Sequence, residues 1–295
     1  MKKIFIIYLA GLFCTAKVLG QGIEAELYQY NYTLIHPAFA GSDGQKISIL
    51  ANTVTYDGSF GNSEANTLAL MSYENYFDKI NSGIAVTGYS ERMGPSSFSS
   101  LGLSYNYKFR LGESVNLVAG AKVRRHIYSV SYDYFRSIEP SDPLLNPDVS
   151  EANWAADFGL LLNIRKFNFG LLANNLFHTN DKIDVVASKN HLDKNYAAIV
   201  GTSFRINDHL VSNHSLYIPL ETELYRIDLN NTITINNFFV AGFSIEKTQS
   251  DIFTRFNTGL QIKDYFQILF LVYSQKRNDF FEPKLRGEVF LGFKF

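Results

Sequence analysis

The sequence predicts an all-β protein: a transmembrane antiparallel β-barrel of the outer membrane with about 14 strands, preceded by a cleaved signal peptide. Three observations support this fold class. Segments of about ten residues alternate apolar and polar side chains. The connections between these segments are alternately short and long, and the chain ends on an apolar strand whose last residue is phenylalanine.

The composition of the 295-residue chain agrees with a membrane barrel and excludes other classes. Aromatic residues make up 15% and charged residues 19%, and the charged share lies below the roughly 25% usual in soluble domains. An apolar share of 46% excludes a disordered chain. The net charge of -1 gives no basic face, so no nucleic acid is expected as a partner. The single Cys14 excludes a disulfide scaffold and a multi-cysteine metal site.

The N-terminus has the features of a secretory signal peptide. A pair of lysines precedes the apolar stretch 4–13, and small residues before position 21 predict cleavage between Gly20 and Gln21. The alternative is a membrane anchor, which would need about 20 apolar residues, whereas Lys17 interrupts this stretch.

The predicted signal also removes the cysteine. Cys14 follows the bulky Phe13 inside the apolar stretch, which argues against a lipoprotein. The mature chain would then have no disulfide and must be stabilised by a core or a membrane. We therefore divide the chain into a signal peptide at 1–20, an N-terminal periplasmic lead-in at 21–45, and the barrel at 46–295.

Alternation with a period of two recurs along the mature chain. Every second residue from Val115 to Val123 is apolar, and the opposite face carries Lys122 and Arg124. No stretch of 18 uninterrupted apolar residues occurs, which excludes a helical membrane protein. The predicted strands are 46–56, 65–74, 83–90, 98–109, 114–127, 153–164, 167–176, 195–205, 210–220, 224–236, 238–247, 253–263, 265–275 and 285–295.

The connections between these strands follow the pattern of an outer-membrane barrel. Short connections alternate with longer ones, notably 128–152 and 177–194. In such barrels the short turns are periplasmic and the long loops extracellular. The predicted short connections are 111–113, 165–166, 206–209, 237 and 264.

The last strand places Val289, Leu291, Phe293 and Phe295 on one face. A final strand that ends in phenylalanine resembles the signal by which the outer-membrane assembly machinery recognises its clients. The alternative is an ordinary last strand of a soluble β protein. The alternation and the loop pattern favour the barrel.

The sequence assigns no catalytic, cofactor-binding or metal-ligating residue. Six histidines are scattered, without ligand spacing. His178 and His191 share a loop with aspartates, which a solvated polar loop explains better than a metal site. The adjacent His214-Ser215 would suit a barrel hydrolase only if a base and an orienting group were fixed around it.

Two segments near the mature N-terminus point to a family. Tyr28-Gln29-Tyr30 is followed by His36-Pro37-Ala38-Phe39-Ala40-Gly41-Ser42. They resemble the opening of the PorP/SprF family of type IX secretion-associated outer-membrane proteins of the Bacteroidetes, which shows S-Q-Y and then N-P-A-x-A-G-S; His36 stands where the family has Asn. Further family-like segments are Gly83-Ile84-Ala85-Val86, Leu103-Ser104-Tyr105-Asn106-Tyr107, Asp142-Pro143, Asp157-Phe158-Gly159-Leu160, Phe169-Gly170-Leu171-Leu172-Ala173-Asn174-Asn175-Leu176 and Leu291-Gly292-Phe293-Lys294-Phe295.

The N-terminal segment from Pro37 to Gly41 leaves two interpretations open. Proline fixes φ and glycine permits a positive φ, so these residues suit a turn that leads into the first strand. The other interpretation is a specific plug or docking role.

The resemblance implies a non-enzymatic role in type IX secretion and gliding motility. The implied partners are the outer-membrane lipid bilayer, a large secreted cargo protein with a type IX C-terminal domain, and a periplasmic peptidoglycan-associated component. Long loops are where such barrels bind partners, and the candidate positions in the longest loop are Asp142, Pro143, Asn146 and Pro147. The alternative function is a channel or transporter for a small solute, including a hydrophobic one.

Overall fold

The computed structural model describes residues 26–55, 65–93, 96–131, 149–178, 194–220, 227–248, 252–263, 265–275 and 284–295. Within these ranges no helix has the length and apolarity needed to cross a membrane. Two predicted sites lie outside the described residues: the cleavage site at Gly20 and Gln21, and the loop with Asp142, Pro143, Asn146 and Pro147.

Fourteen antiparallel strands form a closed barrel, in which each strand pairs with its sequence neighbours and β1 pairs with β14. The predicted fold class is therefore confirmed. The strands are β1 Lys46–Thr55, β2 Ala65–Phe77, β3 Ser82–Met93, β4 Ser96–Gly112, β5 Val115–Val130, β6 Val149–Ile164, β7 Phe167–His178, β8 Asn195–Asn207, β9 Leu210–Pro219, β10 Ile227–Ile235, β11 Phe239–Lys247, β12 Ile252–Ile262, β13 Phe266–Gln275 and β14 Lys284–Lys294.

The barrel wall is apolar outside and mainly polar inside. On β4, Leu101 and Leu103 are 63% and 60% exposed, whereas Ser104 and Asn106 are 0% and 2% exposed. This pattern is the reverse of a soluble sandwich, because the apolar face is turned away from the protein interior. Closure also pairs every strand edge, which a chain in lipid requires.

One end of the barrel, which we call the short-turn end, carries six connections that are all short: β2–β3, β4–β5, β6–β7, β8–β9, β10–β11 and β12–β13. The opposite end, which we call the long-loop end, carries the longest connections and also the two-residue connection between β3 and β4. The short turns are tight because several of their residues adopt a positive φ, as two-residue hairpin turns require. Non-glycine examples are Asn81, Arg165, Asn236, Asn237 and Lys263.

The last strand pairs on both sides, with β13 and with β1. Phe293 and Phe295 are exposed on the outer face, and Val289 and Leu291 lie on the same face, half-buried. The predicted facing of this strand is present. Its role as an assembly signal stays a prediction.

Residues 26–45, the described part of the predicted lead-in, lie inside the barrel and are here called the plug. A plug role is one of the two interpretations that the sequence leaves open for Pro37 to Gly41. The plug forms three short 3-10 helices, Glu26–Tyr30, Tyr32–Leu34 and Pro37–Phe39. The reason is burial: the plug carries apolar side chains and many backbone polar groups, and the inward faces of the strands satisfy both.

Candidate functional site

The site is built around the plug, and its narrowest part is the turn from His36 to Gly41. The His36 Nδ1 accepts a hydrogen bond from the Ala38 N–H at 3.2 Å, and Pro37 occupies the first helical position. The Ala40 N–H donates to the Pro37 carbonyl at 3.2 Å. Gly41 has φ +72°, which lets the chain reverse direction towards β1. Both open interpretations describe one part of this geometry: the segment forms a turn, and the turn lies in the lumen.

A row of small residues on the barrel wall receives this turn. Gly83 on β3 pairs in register with Asn106 on β4, which pairs with Gly120 on β5, which pairs with Gly159 on β6. The four residues thus lie side by side across four neighbouring strands. We call Gly83, Gly120 and Gly159 the glycine row.

The glycine row allows backbone-to-backbone contact between plug and wall. A Cβ atom at Gly83 would lie 2.0 Å from the Ala40 carbonyl oxygen, and one at Gly120 would lie 2.5 Å from the Ala38 nitrogen. Both distances are far below van der Waals contact. Any larger side chain would therefore displace the plug.

Asn106 fills the gap in the glycine row and binds the plug directly. Its Nδ2 donates to the carbonyl oxygens of Ala38, at 3.0 Å, and of Ala40, at 2.6 Å. Its Oδ1 accepts from the Gly83 N–H at 2.9 Å. One side chain therefore satisfies three backbone groups that would otherwise be buried without partners.

His36 is fully buried between two wall glycines. Its ring lies 2.5 Å from the position of a Cβ at Gly159 and 3.2 Å from that of a Cβ at Gly170 on β7. Burial lowers the pKa of His36 to about 4, so the ring is neutral at pH 7. The neutral ring can accept the Ala38 hydrogen bond at Nδ1, which the doubly protonated ring could not.

Glu74 on β2 holds the plug from the adjacent wall. Its Oε2 accepts from the Thr33 hydroxyl at 2.7 Å and from the Gly41 N–H at 2.8 Å. Next to it, the Asn31 Nδ2 donates to the Ser72 hydroxyl at 2.6 Å. These bonds join two separate turns of the plug to one strand.

The Tyr28-Gln29-Tyr30 segment crosses to the opposite wall. The Tyr28 hydroxyl donates to Asp228 on β10 at 3.3 Å, and the Tyr30 hydroxyl donates to Asn257 on β12 at 2.6 Å. Just before them, the Leu27 N–H donates to Glu288 on β14 at 2.6 Å. Side chains thus connect plug and wall here, in contrast to the backbone contact at the glycine row.

Two lysines on the wall bind carbonyl oxygens of the plug. Lys46 donates from Nζ to the Tyr30 carbonyl at 2.9 Å and pairs with Asp43 at 2.8 Å. Lys122 donates from Nζ to the Leu34 carbonyl at 3.1 Å. The plug backbone is thus bound by lysine donors from β1 and β5.

Apolar side chains complete the contacts on two sides of the lumen. One cluster joins Leu27 and Leu34 to β1, β2, β11, β13 and β14; a second joins Ala38 and Phe39 to β5, β6 and β8. Together with the polar contacts, the plug interacts with the wall around its circumference. The wall members of these clusters are Leu50, Leu68, Leu70, Val240, Leu269, Leu271 and Phe290, and Val118, Leu161 and Ile199.

A cavity of about 440 Å³ remains between the plug and the wall from β6 to β10, β12 and β13. Gln29, Tyr30 and Tyr32 form its plug side. Amide and hydroxyl side chains such as Asn163 and Asn213 form its wall side. The lumen is therefore filled on one side and partly open on the other.

The described residues do not bring together a catalytic or metal site. The His214 ring nitrogens lie 3.0 Å from the Ser212 hydroxyl and 2.6 Å from Asn231 Oδ1, so both are engaged by groups other than Ser215. No group of three potential metal ligands occurs in the part of the chain that the structure describes. The loop that carries His191 lies outside that part.

Sequence reasoning did not identify the wall residues that receive the plug. Asn106, Gly83 and Gly159 do occur in the segments that resemble the PorP/SprF family, but nothing in the sequence relates them to one another. Gly120 occurs in none of those segments. The available signal was glycine on the polar face of a predicted strand, which can mark a close backbone approach.

Comparisons with known proteins identify the family and agree on the fold. The family described as type IX secretion system membrane protein PorP/SprF matches residues 20–279. A search of curated proteins found no match. The family match and the barrel confirm the predicted resemblance and the outer-membrane location.

Solved structures with similar folds are outer-membrane barrels. The CymD monoaromatic hydrocarbon channel has a TM-score of 0.56 at 11% identity, over 95% of this chain and 94% of that one. The P. putida toluene transporter TodX has a TM-score of 0.54 at 10% identity, over 89% of this chain and 93% of that one. The Acinetobacter baumannii outer membrane protein Omp33 has a TM-score of 0.51 at 10% identity, over 85% and 98%. At these identities the likeness concerns the fold alone.

Proposed function

The chain belongs to the PorP/SprF family of type IX secretion system membrane proteins, and from this we propose that it is a non-enzymatic barrel that assists the export or surface anchoring of one large cargo protein. It does so by holding the cargo's type IX C-terminal domain at the long-loop end. The short-turn end docks to a periplasmic, peptidoglycan-associated component of the machine.

The observation that carries this proposal is the plug. A barrel that passes solutes freely needs an open lumen, whereas here 3-10 helices bonded to the wall occupy it. A filled lumen favours a role in which the two ends of the barrel bind other proteins. The barrel then serves as a membrane-embedded support for its loops.

The orientation follows the general rule for such barrels, in which short turns are periplasmic and long loops extracellular. It puts the long connections between β5 and β6, at 131–148, and between β7 and β8, at 179–194, on the cell surface, where a secreted domain would be held. Binding to Asp142, Pro143, Asn146 and Pro147 remains part of the proposal.

A deletion strain followed by surface proteomics tests the role. We expect the loss of one large surface protein with a type IX C-terminal domain, and co-purification of that domain with the tagged barrel from wild-type cells. An unchanged surface proteome would contradict the proposal.

The alternative, a channel or transporter for a small solute, makes a separate prediction. It requires conductance or solute uptake by the purified barrel in a lipid bilayer, with no change in surface proteins on deletion. The seated plug argues against high conductance. A barrel hydrolase would require activity that is lost on Ser215→Ala, and the bonding of His214 gives no support for it.

A further inference from the structure

We propose that the cavity beside the plug is a binding site for a neutral saccharide that enters from the short-turn end. This proposal goes beyond the secretion role and does not depend on it. It rests on the volume of the cavity, the chemistry of its wall, the position of Gln29 and the path to solvent.

The cavity has the size and wall of a small-molecule site. Its volume of about 440 Å³ falls within the roughly 300–1,000 Å³ usual for ligand pockets. Amide and hydroxyl groups come from seven different strands, among them Asn163, Asn168, Ser203, Asn213 and Gln267. Such groups both donate and accept hydrogen bonds, as the hydroxyls of a sugar do.

Among the described residues that line the cavity, the two carboxylates, Asp43 and Glu74, already have partners. Asp43 forms an ion pair with Lys46 at 2.8 Å. Glu74 accepts hydrogen bonds from Thr33 and Gly41. A charged ligand would therefore find no unpaired opposite charge on the cavity wall, which is unfavourable in a partly desolvated site.

An apolar ligand fits this wall no better. It would leave the amides and hydroxyls without hydrogen bonds, and buried polar groups without partners are costly. The rings of Tyr30 and Tyr32 add flat apolar surface on the plug side. A sugar ring, which has polar edges and less polar faces, matches both surfaces.

In the Tyr28-Gln29-Tyr30 motif, Gln29 is the residue whose side chain forms no hydrogen bond to the described part of the wall. Its neighbours Tyr28 and Tyr30 bind Asp228 and Asn257 on the wall. The Gln29 side chain lines the cavity, and its buried Oε1 and Nε2 have no hydrogen-bond partner among the described residues.

Ser203 lines the same cavity from β8, and it pairs in register with Asn213 on β9, which lines the cavity too. The Gln29 amide on the plug and these polar groups on the wall thus border the same space. Native structures rarely leave a buried group such as the Gln29 amide without a partner, and a bound ligand hydroxyl would satisfy it.

The cavity is continuous with the short-turn end. A smaller cavity of about 220 Å³ shares Gln29, Tyr30 and Asp43 with it. A third, of about 700 Å³, shares Asp43, Tyr265 and Lys294 with the second and is lined by short-turn residues. With short turns on the periplasmic side, the saccharide would come from the periplasm, as a glycan fragment or a free oligosaccharide.

Calorimetric titration of the purified full-length protein in detergent tests the proposal. The probes are N,N′-diacetylchitobiose, which represents an N-acetylated glycan backbone, and maltotriose, which represents a free neutral oligosaccharide. Digalacturonate serves as a charged comparison. We expect saturable binding of at least one neutral probe. Chitobiose alone would indicate a glycan source, and maltotriose a free sugar.

Two substitutions on opposite sides of the cavity locate the site. Gln29→Ala and Ser203→Ala should each weaken binding by about three- to tenfold, as expected for one lost hydrogen bond to a neutral group. Ser203→Ala lies outside the plug, so it remains informative if Gln29→Ala disturbs folding. Thr87→Val is the control, because Thr87 also faces inward, on β3, but does not line the cavity.

Three results would overturn the proposal: no binding of either neutral probe at millimolar concentration, equal affinity in both cavity variants, or tighter binding of digalacturonate. None of them would affect the surface-proteome test of the secretion role. The two proposals can therefore fail separately.

Discussion

The two sides of the lumen hold the plug in different ways. On the side formed by β3 to β6, glycines let the plug backbone approach the wall backbone directly. On the side formed by β8 to β13, the long side chains of Tyr28 and Tyr30 reach from the plug to the wall, and a cavity remains beside them. The comparison indicates that the first side positions the plug by shape, whereas the second binds it at a few points and leaves room for a ligand.

The largest effect is expected from filling the glycine row. Gly83→Ala would place a Cβ 2.0 Å from the Ala40 carbonyl oxygen, a backbone atom that cannot move without the plug. We expect a loss of at least about 3 kcal/mol in plug seating. Released plugs should appear as increased conductance in planar bilayers and as chymotryptic cleavage within 26–45.

Gly88→Ala is the matched control for that experiment. Gly88 lies on the same strand, and a Cβ there would meet no atom within 4 Å. This variant should behave like the wild type. Equal conductance in the two variants would contradict the assignment of the glycine row as the site that positions the plug.

Asn106→Ala tests the polar contact on the same side. The change leaves the carbonyls of Ala38 and Ala40 and the N–H of Gly83 without their partner. Each such unpaired group costs about 1–3 kcal/mol. Water that enters the site recovers part of this cost, so we expect the free energy of unfolding to fall by about 4 kcal/mol. Thermal unfolding, followed by gel mobility, measures it, with Ser104→Ala on the same strand as the control.

Acid should weaken plug seating through His36. The pKa of His36 is about 4 in the seated plug against a usual value of 6.5, because burial disfavours the charged ring. A released plug would bind the proton more readily, so its release is favoured as the pH falls below about 6.5. The free energy that favours the seated plug falls by about 3 kcal/mol near pH 4.

Chymotryptic cleavage of the plug across this pH range, after correction for the pH dependence of the protease, is the measurement. His36→Asn keeps an acceptor for the Ala38 N–H and cannot be protonated, so the difference between the two proteins isolates His36. If both proteins show the same pH profile, His36 does not control seating.

The smallest effect is expected on the cavity side. Tyr30→Phe removes one hydrogen bond to Asn257, at a cost of about 0.5–1.5 kcal/mol. A double-mutant cycle with Asn257→Ala measures the coupling between the two side chains. A cost as large as that of Asn106→Ala would remove the proposed difference between the two sides.

The wall could be predicted from the sequence because lipid imposes a simple pattern. In a barrel strand every second residue faces lipid and must be apolar, so all fourteen strands could be identified. The ends of β4, β5 and β6 were predicted less well. They extend over 17, 16 and 16 residues, and the lipid requirement weakens away from the middle of the membrane.

The sequence left a plug open as one interpretation of Pro37 to Gly41, but the structure and contacts of the plug could not be predicted, because the segment has no periodicity. Its 3-10 helices have three to five residues, too few for a pattern, and its partners are distant in sequence. Leu27 and Glu288 are 261 residues apart. The resemblance identified Gly83, Asn106 and Gly159 as members of separate segments, and only the register of β3 to β6 places them in one row.

The bond between Leu27 and Glu288 has a consequence for biogenesis. The plug precedes β1, whereas Glu288 lies on the last strand, which closes the barrel against β1. The site that holds the plug is therefore complete only when the final strand has been synthesised and paired. A chain truncated before β14 would lack this anchor, so plug seating reports that assembly has been completed.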